Sequence, residues 1–191
     1  MNIIVTERSS IFNTDLVFRG VIGGFLSVII GIDPGSRVTG YGVIRSVDQS
    51  LEGIACGVID LGETESLALR LNRLAQSLRT LFEKHRPQAV AIEKIFLGKN
   101  ADSAFKLGHA RGVCLQIAGE FHAEVFEYAT RSVKKAVTGS GGAEKEQVRV
   151  VIENLLKLRC PELDASDALA VAVAHAQSDH SILGRLKEVE L

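Results

Sequence analysis

The chain has 191 residues, 46% of them hydrophobic and 24% charged, with three prolines. That composition describes one ordinary soluble globular domain with enough chain to bury a real core; no internal repeat or low-complexity segment points elsewhere. A net charge of −1 gives no global signal for nucleic acid, so any basic footprint must be local. Cys56, Cys114 and Cys160 are odd in number and share no metal or redox spacing. They predict a reducing, cytoplasmic setting and argue against a disulfide framework or a zinc site.

Residues 1–26 carry little pattern. The apolar run Val21–Ile32 is shorter than the roughly 20 residues that cross a bilayer. Glu7 and Asp15 are misplaced for the basic start of a signal peptide. Two readings stand: a loosely ordered tail, or an extension upstream of a chain whose domain begins near Leu26.

Val28–Ile32 is short, aliphatic and halted by Pro34-Gly35, so it predicts a buried strand with Asp33 at its end. Proline and glycine force a turn directly after the acid. A carboxylate there is costly unless a ligand or metal meets it. Gly40–Ile44 predicts a strand returning alongside, and Leu51–Leu61 a third that completes an antiparallel meander. Leu67, Leu71, Leu74, Leu78 and Leu81 form the stripe of an amphipathic helix, with Ser66 as N-cap and Pro87 as the stop.

Gln88–Glu93 repeats the first pattern, an apolar run ending in an acid, and is most easily added parallel to the meander. Helical signal resumes over Asn100–His122, where Ala104, Gly108, Ala110 and Gly112 recur along one side. These small residues suit either packing within the subunit or a dimer surface. Ala123–Tyr128 alternates as a fifth strand. Helices follow at Arg131–Val137, Glu144–Leu158 and Asp164–Gln177, with the loop Thr138–Gly142 between the first two and a polar tail over 179–191. Residues 27–178 thus predict one α/β domain, a mixed five-stranded sheet flanked by helices in ribonuclease H-like order.

Four acids stand out by position: Asp33 and Glu93 at strand ends, and Asp164 and Asp167 at the start of a helix. The last two are spaced i, i+3 and share a face. If the helix packs across the strand ends, four oxygen donors converge, a set that suits hard divalent cations better than zinc. Each acid also has a plainer reading: Asp164 as an N-cap, Asp167 as a first-turn acid, Glu93 as a strand-end charge and Asp33 as a turn residue.

The segment Ile30–Ile44 closely resembles the opening of the RuvC family of Holliday-junction resolvases, and so do Ala91–Phe96, Lys99–Ala104, Lys106–Val113, Val125–Ala129, Ala143–Lys145 and Asp164–Ala170. The resemblance runs in order from about Val28 to Ala176. It implies a ribonuclease H-like fold, a homodimer, and metal-dependent cutting of four-way junction DNA in recombination and repair. It also implies that Asp33, Glu93, Asp164 and Asp167 bind two magnesium ions per site, with manganese as a substitute. A branch-migration complex of the RuvA and RuvB type is the implied protein partner.

Basic residues are concentrated locally. Arg131, Lys134, Lys135 and Lys145 against Glu144 give residues 131–145 a charge of +3, the kind of patch that holds phosphates. By resemblance Lys134 and Lys145 contact the DNA backbone near the acids, with Lys99, Lys106, Arg111 and Arg131 as further candidates. Phe96, three residues past Glu93, is read either as an aromatic that stacks on a base at the junction centre or as core. His175 is expected to be a packing histidine. The rival fold relatives, sugar kinases and actin, need a duplicated second domain for which the chain has no room.

Overall fold

The computed structural model describes residues 3–7, 26–47, 50–94 and 101–189. In chain order the elements are β1 (Ile3–Glu7), β2 (Leu26–Asp33), β3 (Val38–Val47), β4 (Ser50–Asp60), α1 (Leu67–His85), β5 (Ala89–Glu93), α2 (Ala101–Glu120), β6 (Glu124–Tyr128), α3 (Thr130–Thr138), α4 (Lys145–Leu156) and α5 (Leu163–Val189). The sheet order is β1-β4-β3-β2-β5-β6. Strands β2, β3 and β4 form the antiparallel meander, while β5 and β6 add parallel on the other side of β2.

All five expected strands are present, and the sheet has a sixth. Ile3–Glu7 pairs antiparallel with β4, from Ile3 opposite Ile59 to Glu7 opposite Ala55. The expectation of a patternless leader missed it. Ile3-Ile4-Val5-Thr6 is a β-branched run too short to stand out in sequence, but it suits an open sheet edge. The polar tail also differs from expectation, because α5 continues to Val189. Ile182, Leu183, Leu186 and Val189 still recur at helical spacing within this polar stretch, and no proline follows to end the helix. Ser178 satisfies its hydroxyl by donating to Ala174 O at 2.8 Å and stays helical.

Alternation along the strands sends side chains to two cores. Ile30, Ile32, Tyr41, Val43 and Ile59 meet α1 and α2 through Leu74, Leu78, Phe82 and Ile117. On the opposite face Ile29, Ile44 and Val58 meet α4 and α5 through Ile152, Leu156, Leu169 and Val173. Helix α1 starts as expected, with Ser66 Oγ accepting from Leu69 N at 3.4 Å, and stops at the left-handed Arg86 just before Pro87. Among the described residues no helix is long and apolar enough to cross a membrane.

Glycines let α5 lie against the sheet. A Cβ on Gly31 would stand 1.9 Å from Ala168 O, and one on Gly40 would stand 2.0 Å from Asp164 O. Backbone therefore meets backbone where β2 and β3 cross the first turns of α5. Any larger residue there would lift the helix away.

Candidate active site

Asp33 ends β2 and Glu93 ends β5. The two strands are parallel neighbours with Ile32 opposite Ile92, so both acids leave the sheet at the same end. The close approach at Gly40 brings the first turn of α5 over that end. Asp33, Asp164 and Asp167 each offer a carboxylate oxygen within 4.8 Å of the others. Glu93 is not in that tight group; it lines the same cavity, about 180 Å³, together with Asp33, Asp167, Thr130, Lys134 and Lys145. A larger hollow, about 600 Å³ between Phe82, Arg86, Pro87 and Phe121, lies at the opposite end of β5 and collects no such set of acids.

The turn after Asp33 is tied down from the side: the Arg70 guanidinium on α1 donates to Ser36 O. Burial, followed by the charges of Glu93, Asp167 and Asp164, pushes the Asp33 carboxyl from 3.8 up to about 7, with Lys145 opposing. Lys145 sits 2.5 Å from an Asp167 oxygen. That contact holds its ammonium above the usual lysine range. Two ammonium groups, Lys145 and Lys134, beside four carboxylates leave an acid-rich pocket. Crowded acids of this kind are relieved by a hard divalent cation, and an all-oxygen donor set fits magnesium or manganese better than zinc.

The raised carboxyl has a measurable consequence. The folded, metal-free chain keeps the Asp33 proton between about pH 4 and 7, where the unfolded chain has lost it. Stability present below pH 4 is therefore lost as pH rises to 7, by an amount on the order of 4 kcal/mol for three pKa units. The melting temperature of the metal-free protein should fall over this window, and magnesium should raise it more at pH 8 than at pH 5.5. A magnesium shift that is the same at both pH values would disprove the crowding.

The basic candidates separate. Lys145 and Lys134 line the cavity, and Lys134 Nζ donates to Ala143 O at 2.6 Å. Arg131 is exposed near the start of α3 and Lys106 is exposed on α2. Arg111 differs from the others: it pairs with Glu127 at 2.5 Å, its side chain is 16% exposed, and it braces α2 against β6. Phe96 and Lys99 lie outside the described residues. His175 is buried as expected, 2.8 Å from Tyr128 Oη and stacked on Phe126. Sequence reasoning missed Thr130, whose hydroxyl donates to Glu93 Oε1. A threonine just after a strand carries no motif that would have flagged it.

A sequence-family model described as "Crossover junction endodeoxyribonuclease RuvC" matches residues 29–175. The chain belongs to the RuvC family. The match spans all four acids. The chain is 55% identical over 150 residues to the RuvC crossover junction endodeoxyribonuclease of Bdellovibrio bacteriovorus, covering 78% of this chain and 89% of that relative. It is 46% identical over 159 residues to the RuvC of Marinobacter nauticus, covering 83% and 90%. A solved structure described as Thermus thermophilus RuvC in complex with Holliday junction substrate aligns with a TM-score of 0.73 at 32% identity, over 78% of this chain and 93% of that one. The yeast mitochondrial Holliday junction resolvase Ydc2, 14% identical with a TM-score of 0.54, shares the fold. The sheet order, helices on both faces and RuvC neighbours make the fold ribonuclease H-like.

Proposed function

We propose that this RuvC-family chain is a structure-selective endonuclease that resolves four-way DNA junctions by metal-dependent phosphodiester hydrolysis, making symmetric paired nicks in recombination and repair. The observation that carries the reading is the convergence of Asp33, Asp164 and Asp167 within 4.8 Å at the sheet's end. That all-oxygen set lies in a chain matched to the family across the whole site.

Asp33, Asp164 and Asp167, with Glu93 from β5, would hold two magnesium ions, manganese substituting. Bound there, the ions would supply an activated water and positive charge to stabilise the reacting phosphate. Asp33, whose proton is held by burial and by the neighbouring acids, would be the ligand that ionises to hold a cation. Lys145, already against Asp167, delivers a cation to the scissile phosphate. Lys134 is steadied by Ala143 O beside the same cavity and takes an adjacent phosphate. Arg131, Lys106, Lys99 and Phe96 extend the DNA contacts, the aromatic by stacking on a base. Arg111 serves this surface indirectly, through its brace to Glu127.

Two coordinated nicks need two sites, and a two-fold dimer supplies them. The outer side of α2 suits that role: Phe105 is 72% exposed, and the nearby Gly108 and Gly112 have open space over them. A cytoplasmic branch-migration complex of RuvA and RuvB type would present the junction. The test is a labelled synthetic junction incubated with magnesium. Paired nicks in opposing strands, with linear duplex spared, are expected. A junction that is bound but uncut with either magnesium or manganese would sink the reading.

A further inference from the structure

The four acids differ in how they are held. Asp33 is fixed by burial at the end of a central strand, and Asp164 and Asp167 sit on the first two turns of a long helix. All three are short side chains. Glu93 is longer by one carbon, lines the same cavity, and is the acid outside the group whose oxygens lie within 4.8 Å of one another. A side chain with that freedom loses affinity for a cation unless something limits its rotamers.

Thr130 meets that need. Glu93 lies opposite Tyr128 in the parallel β5–β6 ladder, and Lys94 N donates to Tyr128 O at 2.9 Å. The two strand ends are therefore clamped together, and Thr130, two residues past Tyr128, opens α3 above Glu93. The start of α3 has no side-chain cap: Ala129 occupies the N-cap position without a capping hydrogen bond. Thr130 carries a hydroxyl of the kind that often satisfies helix starts, yet its Oγ1 donates to Glu93 Oε1. Threonine is stiff at χ1, so the donor itself is well placed. A single hydroxyl proton satisfies one carboxylate oxygen and leaves Oε2 available to a cation.

We propose that Thr130 is a positioning residue that orients Glu93 for the divalent cation held with Asp33, Asp164 and Asp167. This rests on the metal-centre reading above. Carboxylate ligands are commonly held by such partners, and losing one costs about 10–100-fold in metal affinity or activity.

The experiment is titration of the full chain with manganese alone, followed by calorimetry, for wild type, Thr130→Val, Thr130→Ser, Glu93→Gln and the double variant Glu93→Gln with Thr130→Val. Valine keeps the shape and removes the hydroxyl; serine keeps the hydroxyl. Thr130→Val should weaken manganese binding about tenfold and raise by a similar factor the metal concentration that gives half-maximal junction cleavage. Its metal-free melting temperature should match wild type, and Thr130→Ser should bind like wild type. In the Glu93→Gln background the valine change should add nothing. Manganese binding by Thr130→Val at wild-type affinity, with Glu93→Gln weakened, overturns the role of Thr130 and spares the metal centre. A valine penalty that persists without the Glu93 carboxylate also overturns it. Unchanged binding in Glu93→Gln removes Glu93 from the metal centre, and the inference falls with it.

Discussion

Asp33→Asn should yield a protein that is more stable than wild type without metal, still binds four-way junctions, and no longer cuts them. The substitution keeps the shape of the side chain and removes its charge. Burial and the charges of Glu93, Asp167 and Asp164 all disfavour that charge in the folded chain, so the neutral amide avoids up to about 4 kcal/mol of combined desolvation and repulsion above pH 7. The same charge is what a cation needs, and cleavage should fall by at least about 10³-fold, the scale set by removing a principal electrostatic stabiliser from an enclosed site. DNA affinity rests on lysines and arginines and should survive, falling with added salt as phosphate contacts do. Thermal melts at pH 8 and gel-resolved cleavage of one labelled junction measure both effects. Cutting at the wild-type rate would remove Asp33 from the centre. Loss of cutting together with a lower metal-free melting temperature would show that Asp33 serves folding more than metal.

Gly31→Ala should be strongly destabilising and should loosen the metal site as well. Its Cβ would come within 1.9 Å of Ala168 O and 3.0 Å of the Ala172 Cβ. The nearest atom is backbone in the middle of a helix, and no side-chain rotation relieves the clash. Overpacking in a core ordinarily costs about 1–3 kcal/mol; with two backbones in conflict the expected loss is at the top of that range or above. Urea unfolding measures it. The variant should also bind manganese weakly, because lifting α5 carries Asp164 and Asp167 away from Asp33. Ala68→Gly, on the first turn of α1, provides a control of ordinary helix cost, about 1 kcal/mol. A Gly31→Ala protein no less stable than that control would mean α5 does not need the backbone contact.

Much of this was legible in the chain because local chemistry determines it. Short apolar runs bounded by turn residues, and alternation over Ala123–Tyr128, predicted the five main strands, and the leucine stripe with Ser66 and Pro87 predicted α1 to within its caps. The turn residues after Asp33 placed an acid at a strand end. Where expectation fell short, the deciding forces were not local. Ile3–Glu7 is a strand because β4 offers it an open edge. The Arg111 pairing with Glu127, sixteen residues on, has no local signal.

The acids show the same division. Sequence by itself determined which carboxylates end strands and which open a helix, since strand, turn and first-turn preferences act over a few residues. Their meeting was decided by tertiary structure. It depends on the parallel placement of β5 beside β2 and on glycines that admit the α5 backbone to the sheet. It also explains why Glu93 stands apart from the other three acids with its carboxylate on a threonine hydroxyl. Contacts between residues as distant as Glu93 and Thr130, or Gly31 and Ala168, exist only once packing has chosen which surfaces touch.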